Sequence, residues 1–272
     1  MDDFYAFVTA AIRDAPNRDD VLDRIEDAAG FRPQYLSGVQ EARLTYHAVR
    51  HWYGWRAGTL LMLDIGGGSM EIVLGRDIEP SFAASLPLGA GRLTREFFTD
   101  DPPSRTERRD LRRHVRECLA PVRDRLQWED VPRRVVGSSK TFKQLARLSG
   151  AAPQRRGPFV TRHLVRDDLG CRARELAALS AEERAGLRGV SAPRAGQILA
   201  GTLVARTTMQ ELGIDRLEVS PWALREGVVL RYVCRPVDTE ADTVLRPFRI
   251  PDAPRPGTLE LLHGRAPAPR RV

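Results

Sequence analysis

Residues 60–75 read LLMLDIGGGSMEIVLG. A mostly apolar run ends in a carboxylate, Asp64, and is followed by Gly66, Gly67, Gly68 and Ser69; MEIVLG then reads as a second strand. An acid at a strand tip beside backbone without side chains suits a metal-bound phosphate. Glycine lets amide N–H groups approach an anion closely, and Asp64 can hold a hard cation such as Mg²⁺ directly or through water. Two other phosphate-loop readings fail. A dinucleotide fingerprint needs G-x-G-x-x-G opening a helix, but its sixth position is Glu71 and a strand follows. A Walker A loop needs Lys and Ser/Thr after its last glycine, whereas Gly68 precedes Ser69 and Met70. The bland alternative is a glycine-rich hairpin with no ligand, although ordinary hairpin turns need only one or two glycines.

Upstream of the hairpin the chain alternates. FVTAAI (7–12) reads as a short buried strand. Asn17 can cap the helix NRDDVLDRIEDAAG, with Asp19 and Asp20 in its first turn where the macrodipole favours them and Gly30 as its stop. RPQYL reads as a strand and SGVQEARLTYHAVRHWYG as a second helix, with Leu44, His47 and Ala48 on one face. His47 and His51 stand at i, i+4 without an evident third ligand, so an exposed helix face is expected there rather than a metal site.

Downstream, IEPSFAASLPLGAGRLTREFF adds a strand and enters a helix after Gly89 and Gly91. Residues 104–127 are predicted helical, with Leu111, Val115, Leu119, Val122 and Leu126 as the apolar stripe, the arginines as the wet face, and Pro121 kinking or splitting the helix. VPRRVVGSSKTFKQLARLSG reads as strand, small-residue loop and helix. Gly137, Ser138, Ser139, Lys140 and Thr141 thereby bring amides, hydroxyls and a cation to a helix N-terminus, either an anion site or a cap with a surface lysine. Residues 151–159 form a loop, Ser180 and Glu183 a capping box, residues 192–212 a long helix, RLEVS a strand and ALREGVVLRYV a final helix. From Pro236 the tail is rich in proline and arginine and is expected to be mostly disordered.

The chain has 272 residues, of which 42% are hydrophobic, enough for a sizeable core and against wholesale disorder. Its apolar runs fall short of the roughly 18 residues of a membrane span, and the acidic start MDDFYAF does not resemble a signal peptide. Cys118, Cys171 and Cys234, odd in number and far apart, fit a reducing cytoplasm. A formal net charge of +7 favours anionic partners, but no nucleic-acid-binding motif accompanies it and none is expected as a partner.

Five collinear segments, TAAIRDAPNRD, SGVQEARL, DIGGGSMEIVLG, GSSKTF and ALREGVVL, resemble the exopolyphosphatase / guanosine pentaphosphate phosphatase (Ppx/GppA) family over roughly residues 5–235. GSSKTF looks like an actinobacterial-type variant of the family loop. The resemblance implies an α/β chain of the actin-like ATPase (ribonuclease-H-like) fold, two lobes with a phosphate cleft between them. It implies that Asp64 through Ser69 form the second phosphate loop, with Asp64 holding Mg²⁺ and Glu71 near that metal. Glu41, within VQEARL, falls on the glutamate that orients the attacking water, and Arg13, within AIRDAPN, on a phosphate-contacting arginine. Gly66, Gly67, Gly68, Ser69, Ser138, Ser139 and Lys140 complete the phosphate-binding set.

Departures from the family pattern shape the expectations. The family's opening strand-loop-strand of type D-x-G-S/T-N-S has no counterpart here. The first lobe is therefore expected to be a truncated remnant (residues 1–57), followed by a complete second lobe (58–235) whose terminal helix packs back toward the first, and by the tail (236–272). Losing one jaw of the phosphate clamp predicts weak or absent hydrolysis, and the apolar surface left bare predicts either a homodimer or aggregation. Lys140 stands where the family commonly has glycine, and Pro221-Trp222 replaces small residues. The function implied is Mg²⁺-dependent release of terminal phosphate from inorganic polyphosphate or guanosine pentaphosphate. Two alternatives are a non-catalytic phosphate or nucleotide binder and an ATP-hydrolysing or sugar-kinase-like member of the same superfamily.

Overall fold

The computed structural model describes residues 3–127, 129, 131–233, 245 and 248–249. In chain order the strands and helices are β1 (Asp3–Phe4), β2 (Phe7–Val8), α1 (Ala10–Arg13), α2 (Arg18–Ala29), β3 (Gln34–Tyr35), α3 (Gly38–Tyr53), β4 (Leu60–Ile65), β5 (Met70–Gly75), β6 (Phe82–Leu86), α4 (Ala90–Phe97), α5 (Arg105–Leu126), β7 (Arg134–Ser138), α6 (Ser139–Leu148), β8 (His163–Val165), α7 (Arg166–Leu176), α8 (Ala181–Ala185), α9 (Ile198–Glu211), β9 (Arg216–Val219), α10 (Leu224–Val233) and β10 (Phe248–Arg249). Among the described residues no helix is long and apolar enough to cross a membrane.

The molecule is organised by a six-stranded mixed sheet in the order β6-β5-β4-β7-β9-β8. β6, β5 and β4 form an antiparallel meander; β7 and β9 run parallel to β4, and β8 closes the far edge antiparallel. Side chains alternate across a sheet with period two, so LLMLDI serves two cores. Leu61, Leu63 and Ile65 face the main core, built with residues of α4, α5, α6, α7 and α9. Leu60 and Met62 face the other side, where Ala42, Tyr46 and Val49 of α3 cover them with Val73 and Val136. Asp64 continues that second row, one step beyond the apolar rungs.

The N-terminal elements attach at this α3-covered face. β2 and β3 make a small parallel pair, and β1 pairs with β10. α3 opens with a capping box of Ser37 and Gln40 and packs against α10 so closely that a Cβ on Gly227 would lie 1.9 Å from the Leu44 carbonyl oxygen.

Several sequence expectations are corrected. FVTAAI is not one strand: β2 is two residues long, and the chain turns into α1 by Ala10, so Arg13 is helical. Asn17 precedes α2 without a side-chain capping bond, whereas Gly30 ends it in the left-handed region. His47 is buried against α10's side of the core rather than exposed. Pro121 does not split α5, which runs unbroken from Arg105 to Leu126. The long helix predicted over 192–212 is a short 3₁₀ turn, Ala192–Arg194, and then α9 from Ile198. Of the tail expected to be mostly disordered only three residues are described, and they do not test that expectation: Leu245 is buried against Leu36 and Leu44, and Phe248–Arg249 form β10. Cys234 and the remainder of the tail lie outside the described residues.

Candidate functional site

Strand register builds the core of the site. Asp64 on β4 stands directly opposite Glu71 on β5, Glu71 opposite Ser85 on β6, and Asp64 beside Ser138 on β7. Partners in register share a face of the sheet, so Ser85, Glu71, Asp64 and Ser138 form one polar row across four strands, at the end of the apolar rows covered by α3. Ser85 Oγ donates to Glu71 Oε1 at 2.9 Å.

The turn between β4 and β5 is fixed by its carbonyls. Gly66 N–H donates to Ser69 O at 2.9 Å, Ala90 N–H to Gly66 O at 3.0 Å and Arg92 N–H to Gly67 O at 2.9 Å. The turn's oxygens thus satisfy the first amides of α4, while the amides of Gly67, Gly68 and Ser69 donate to no acceptor among the described residues. Glycine is required here by close approach. A Cβ at Gly68 would meet Ala10 Cβ at 2.8 Å, and one at Gly89 would meet the Gly68 carbonyl carbon at 2.3 Å. A Cβ at Gly67 would meet nothing within 4 Å among the described residues, so this part of the turn faces open space. A cleft of about 500 Å³ opens there, lined by Ala10, Asp14, Gly67, Gly68, Arg92 and Gln197 among others.

Packing of two helices brings the remaining acid. Glu41 lies in the first turn of α3, and its Oε2 is 3.5 Å from Arg13 Nη1 of α1. That carboxylate oxygen is sealed from solvent with no hydrogen-bond partner among the described residues. Arg13 is itself held by Leu36 O at 2.7 Å and Asp14 Oδ1 at 3.0 Å, and Asp14 binds Arg92 at 2.9 Å across the cleft.

Three carboxylates therefore converge. Burial, and then Glu41, push Asp64 up to about 7, against the hydroxyls of Ser138 and Ser139 and the Lys143 ammonium. Burial, and then the charges of Asp64 and Glu41, push Glu71 up to about 8, against Ser69 and Ser85. Burial raises Glu41 as well, with the Arg13 guanidinium opposing it. Facing carboxylates resist joint ionisation unless a cation stands between them. Among the described residues no three His, Cys, Asp or Glu are grouped so as to hold a metal ion.

The sequence-predicted residues divide accordingly. Arg13, Glu41, Asp64, Gly66, Gly67, Gly68, Ser69, Glu71, Ser138 and Ser139 meet around the turn. Lys140 does not join them by any contact; it is exposed, and the cations acting on Asp64 are Lys143, whose Nζ donates to Pro221 O at 2.8 Å, and Arg194. Arg194 also donates to Thr141 Oγ1 at 3.2 Å, and that hydroxyl donates to Ile65 O at 2.8 Å. Ser139, itself one of Asp64's two hydroxyl partners, adopts φ +94°, a left-handed conformation rare outside glycine. Lys143 lies one helical turn beyond Ser139 on the face turned to Asp64, a spacing the sequence did carry; Arg194 comes from a distant segment without a motif.

The chain is similar to known proteins in sequence and in fold. The family model for the Ppx/GppA phosphatase family matches residues 2–235. Exopolyphosphatase 1 of Mycobacterium tuberculosis is 50% identical over 237 residues, spanning 87% of this chain and 68% of that protein. An uncharacterised Streptomyces coelicolor protein is 50% identical over 230 residues, spanning 84% and 68%. The Ppx/GppA enzyme of Aquifex aeolicus superimposes with a TM-score of 0.69 at 30% identity, covering 83% of this chain and 74% of its own. An exopolyphosphatase from Cytophaga hutchinsonii, at 24% identity, shares the fold with a TM-score of 0.74 over 84% of this chain and 74% of its own.

Proposed function

The chain belongs to the Ppx/GppA phosphatase family, and from that premise we propose that it hydrolyses the terminal phosphoanhydride of inorganic polyphosphate. The observation that carries this reading is the meeting of Glu41 with the Asp64–Glu71 pair and the free turn amides at one cleft. The half-identical mycobacterial relative named as an exopolyphosphatase points the same way.

Each group has a role suited to its chemistry. The amides of Gly67, Gly68 and Ser69 bind non-bridging phosphate oxygens. Arg13 offers a planar fork to the same group, and Lys143 and Arg194 add positive charge on the Asp64 side. Glu41 accepts a proton from water as the water oxygen attacks the terminal phosphorus. The bridging P–O bond breaks, and the electron pair leaves with the shortened chain. Burial raises Glu41's proton affinity and so its strength as a base, and the Arg13 guanidinium opposes that rise.

Mg²⁺ fits this site. Two buried carboxylates face each other in register, Glu71 destabilised by the charge of Asp64 and both by that of Glu41, and Mg²⁺ favours one or two carboxylates plus waters and phosphate oxygens over a full protein cage. Asp64 and Glu71 would hold it, and when bound it supplies charge neutralisation to the transferring phosphoryl group.

A second reading, release of phosphate from guanosine pentaphosphate, draws on one feature. Trp52 stacks with the exposed Phe159 at 5.3 Å and leans on Trp222, whose carbonyl accepts from Ser138 Oγ at 3.3 Å. Such a shelf beside the polar row suits a nucleobase.

Phosphate release from polyphosphate in Mg²⁺, compared between the parent chain and Glu41→Gln, tests the proposal. A loss of about 10²–10⁴-fold in rate with polyphosphate binding retained is expected for a missing general base. Binding by the parent chain without release would instead identify a non-catalytic binder.

A further inference from the structure

α5 carries Arg105, Arg108, Arg112 and Arg116 at spacings of three, four and four residues, which sets them on one helix face beside the buried Leu111–Val115–Leu119 stripe. They are not simply the solvated face of an exposed helix. Arg108 and Arg112 are half-buried, and so is Arg206 on the adjoining helix α9. Arg206 lies over α7, where the Cβ position of Gly170 is 3.4 Å from its Nε. The charged groups acting most strongly on Arg112 are all arginines: Arg116, Arg206, Arg108 and Arg105.

Elsewhere on these helices arginine meets acid. Arg113 binds Asp110 at 3.1 Å, Arg123 binds Glu211 at 3.1 Å and Arg172 binds Glu175. In the cluster, Arg116 reaches Glu211 at its edge at 3.2 Å and Arg108 Nε donates to Ser104 O at 3.1 Å. Among the described residues the side chains of Arg105, Arg112 and Arg206 have neither an ion pair nor a hydrogen bond. Grouped guanidinium ions without counter-charge destabilise a fold by mutual repulsion unless an anion joins them.

We infer that the α5–α9 arginine cluster is a second anion site, binding the distal part of a linear inorganic polyphosphate whose end lies in the catalytic cleft. The identity of the polyanion rests on the activity proposed above. Every donor in the cluster is a guanidinium fork, suited to phosphate oxygens. No aromatic residue lies in the stripe to stack a base, which a single-stranded nucleic acid site uses. From Arg105 to Arg116 the helix rises about 16 Å, room for several consecutive phosphates rather than one. Gln197, lining the cleft, immediately precedes α9, and Arg206 lies about 14 Å further along that axis, beyond the reach of a short oligomer.

The test measures binding of long-chain polyphosphate and of tripolyphosphate to the full chain over a salt series, in a Glu41→Gln background that blocks turnover. Arg112→Gln with Arg206→Gln is expected to weaken long-chain binding about tenfold or more, to lower the salt slope by about 1 to 2, and to leave tripolyphosphate unchanged. The exposed Arg105→Glu, outside the packed core, should weaken long-chain binding in the same direction without a lower melting temperature. Unchanged long-chain affinity in these variants would overturn the site. So would equal losses for both chain lengths, or single-stranded RNA binding more tightly than polyphosphate through the same arginines. A parent chain that releases no phosphate but loses long-chain binding in these variants would refute the activity and leave the second site standing.

Discussion

The polar row and the Arg13–Glu41 pair reach the same cleft by different means. Ser85, Glu71, Asp64 and Ser138 are aligned by backbone pairing across β6, β5, β4 and β7. A register is all or none, because a slip by one residue turns each side chain to the opposite face. Arg13 and Glu41 instead sit on α1 and α3, helices seated by close packing: Gly68 under Ala10, and Gly38 against Ser85. The row is thus fixed by the fold itself, whereas the position of Glu41 depends on a few glycine contacts. Damage to the row should change the chemistry of the site and spare the fold. Damage to those contacts should misplace the proposed base while leaving the carboxylate pair intact.

Gly38→Ala breaks the comparison most sharply. Its Cβ would lie 2.3 Å from Ser85 Oγ and 2.5 Å from Ser85 Cβ, so the start of α3 must move. A displacement near 1 Å costs about 100-fold in rate, with about 1–3 kcal/mol of stability. Ser85→Gly in the same chain removes the clash and should recover much of the stability. Phosphate-release kinetics and thermal melts on the single and double variants check this. A fully active Gly38→Ala would mean that Glu41 is not positioned through this contact.

A smaller effect sharpens the other half. Asp64 and Glu71 hold protons up to about 7 and about 8 in the folded chain, against about 4 for unfolded carboxyls. The folded state therefore binds more protons than the unfolded state between about pH 4 and 8. Without divalent cation, stability should fall as pH rises through that window and level off above it. Mg²⁺ should raise the melting temperature more at pH 8 than at pH 5, because at pH 5 it competes with protons. Melting curves across pH, with and without Mg²⁺, decide it; a metal-free chain whose stability climbs from pH 5 to 8 contradicts the buried pair.

The same contrast explains what could be read from the sequence. LLMLDIGGGSMEIVLG fixes a hairpin, and the hairpin fixes Asp64 opposite Glu71, because strand pairing is local. GSSKTF at a strand-to-helix junction was equally legible, as was the capping box at Ser180; the one at Ser104 went unread. FVTAAI was not, since a short apolar run does not distinguish strand from helix, and α1 forms where Ala10 must fit against Gly68. Neither Arg194 nor Ser85 carries a local signal; each meets the site only through tertiary packing or sheet pairing. The Ser139 backbone is a departure from local preference at a site residue, where strain is most often found.

The most direct test is a calorimetric titration of Mg²⁺ with a non-hydrolysed phosphate analogue into the parent chain and into Asp64→Asn. If the opposed carboxylates and bare turn amides hold a metal-bound phosphoryl group, the parent should bind both together, releasing protons near pH 7. Asp64→Asn should lose Mg²⁺-dependent binding while melting no lower than the parent. Undiminished binding in a folded Asp64→Asn chain would contradict the account.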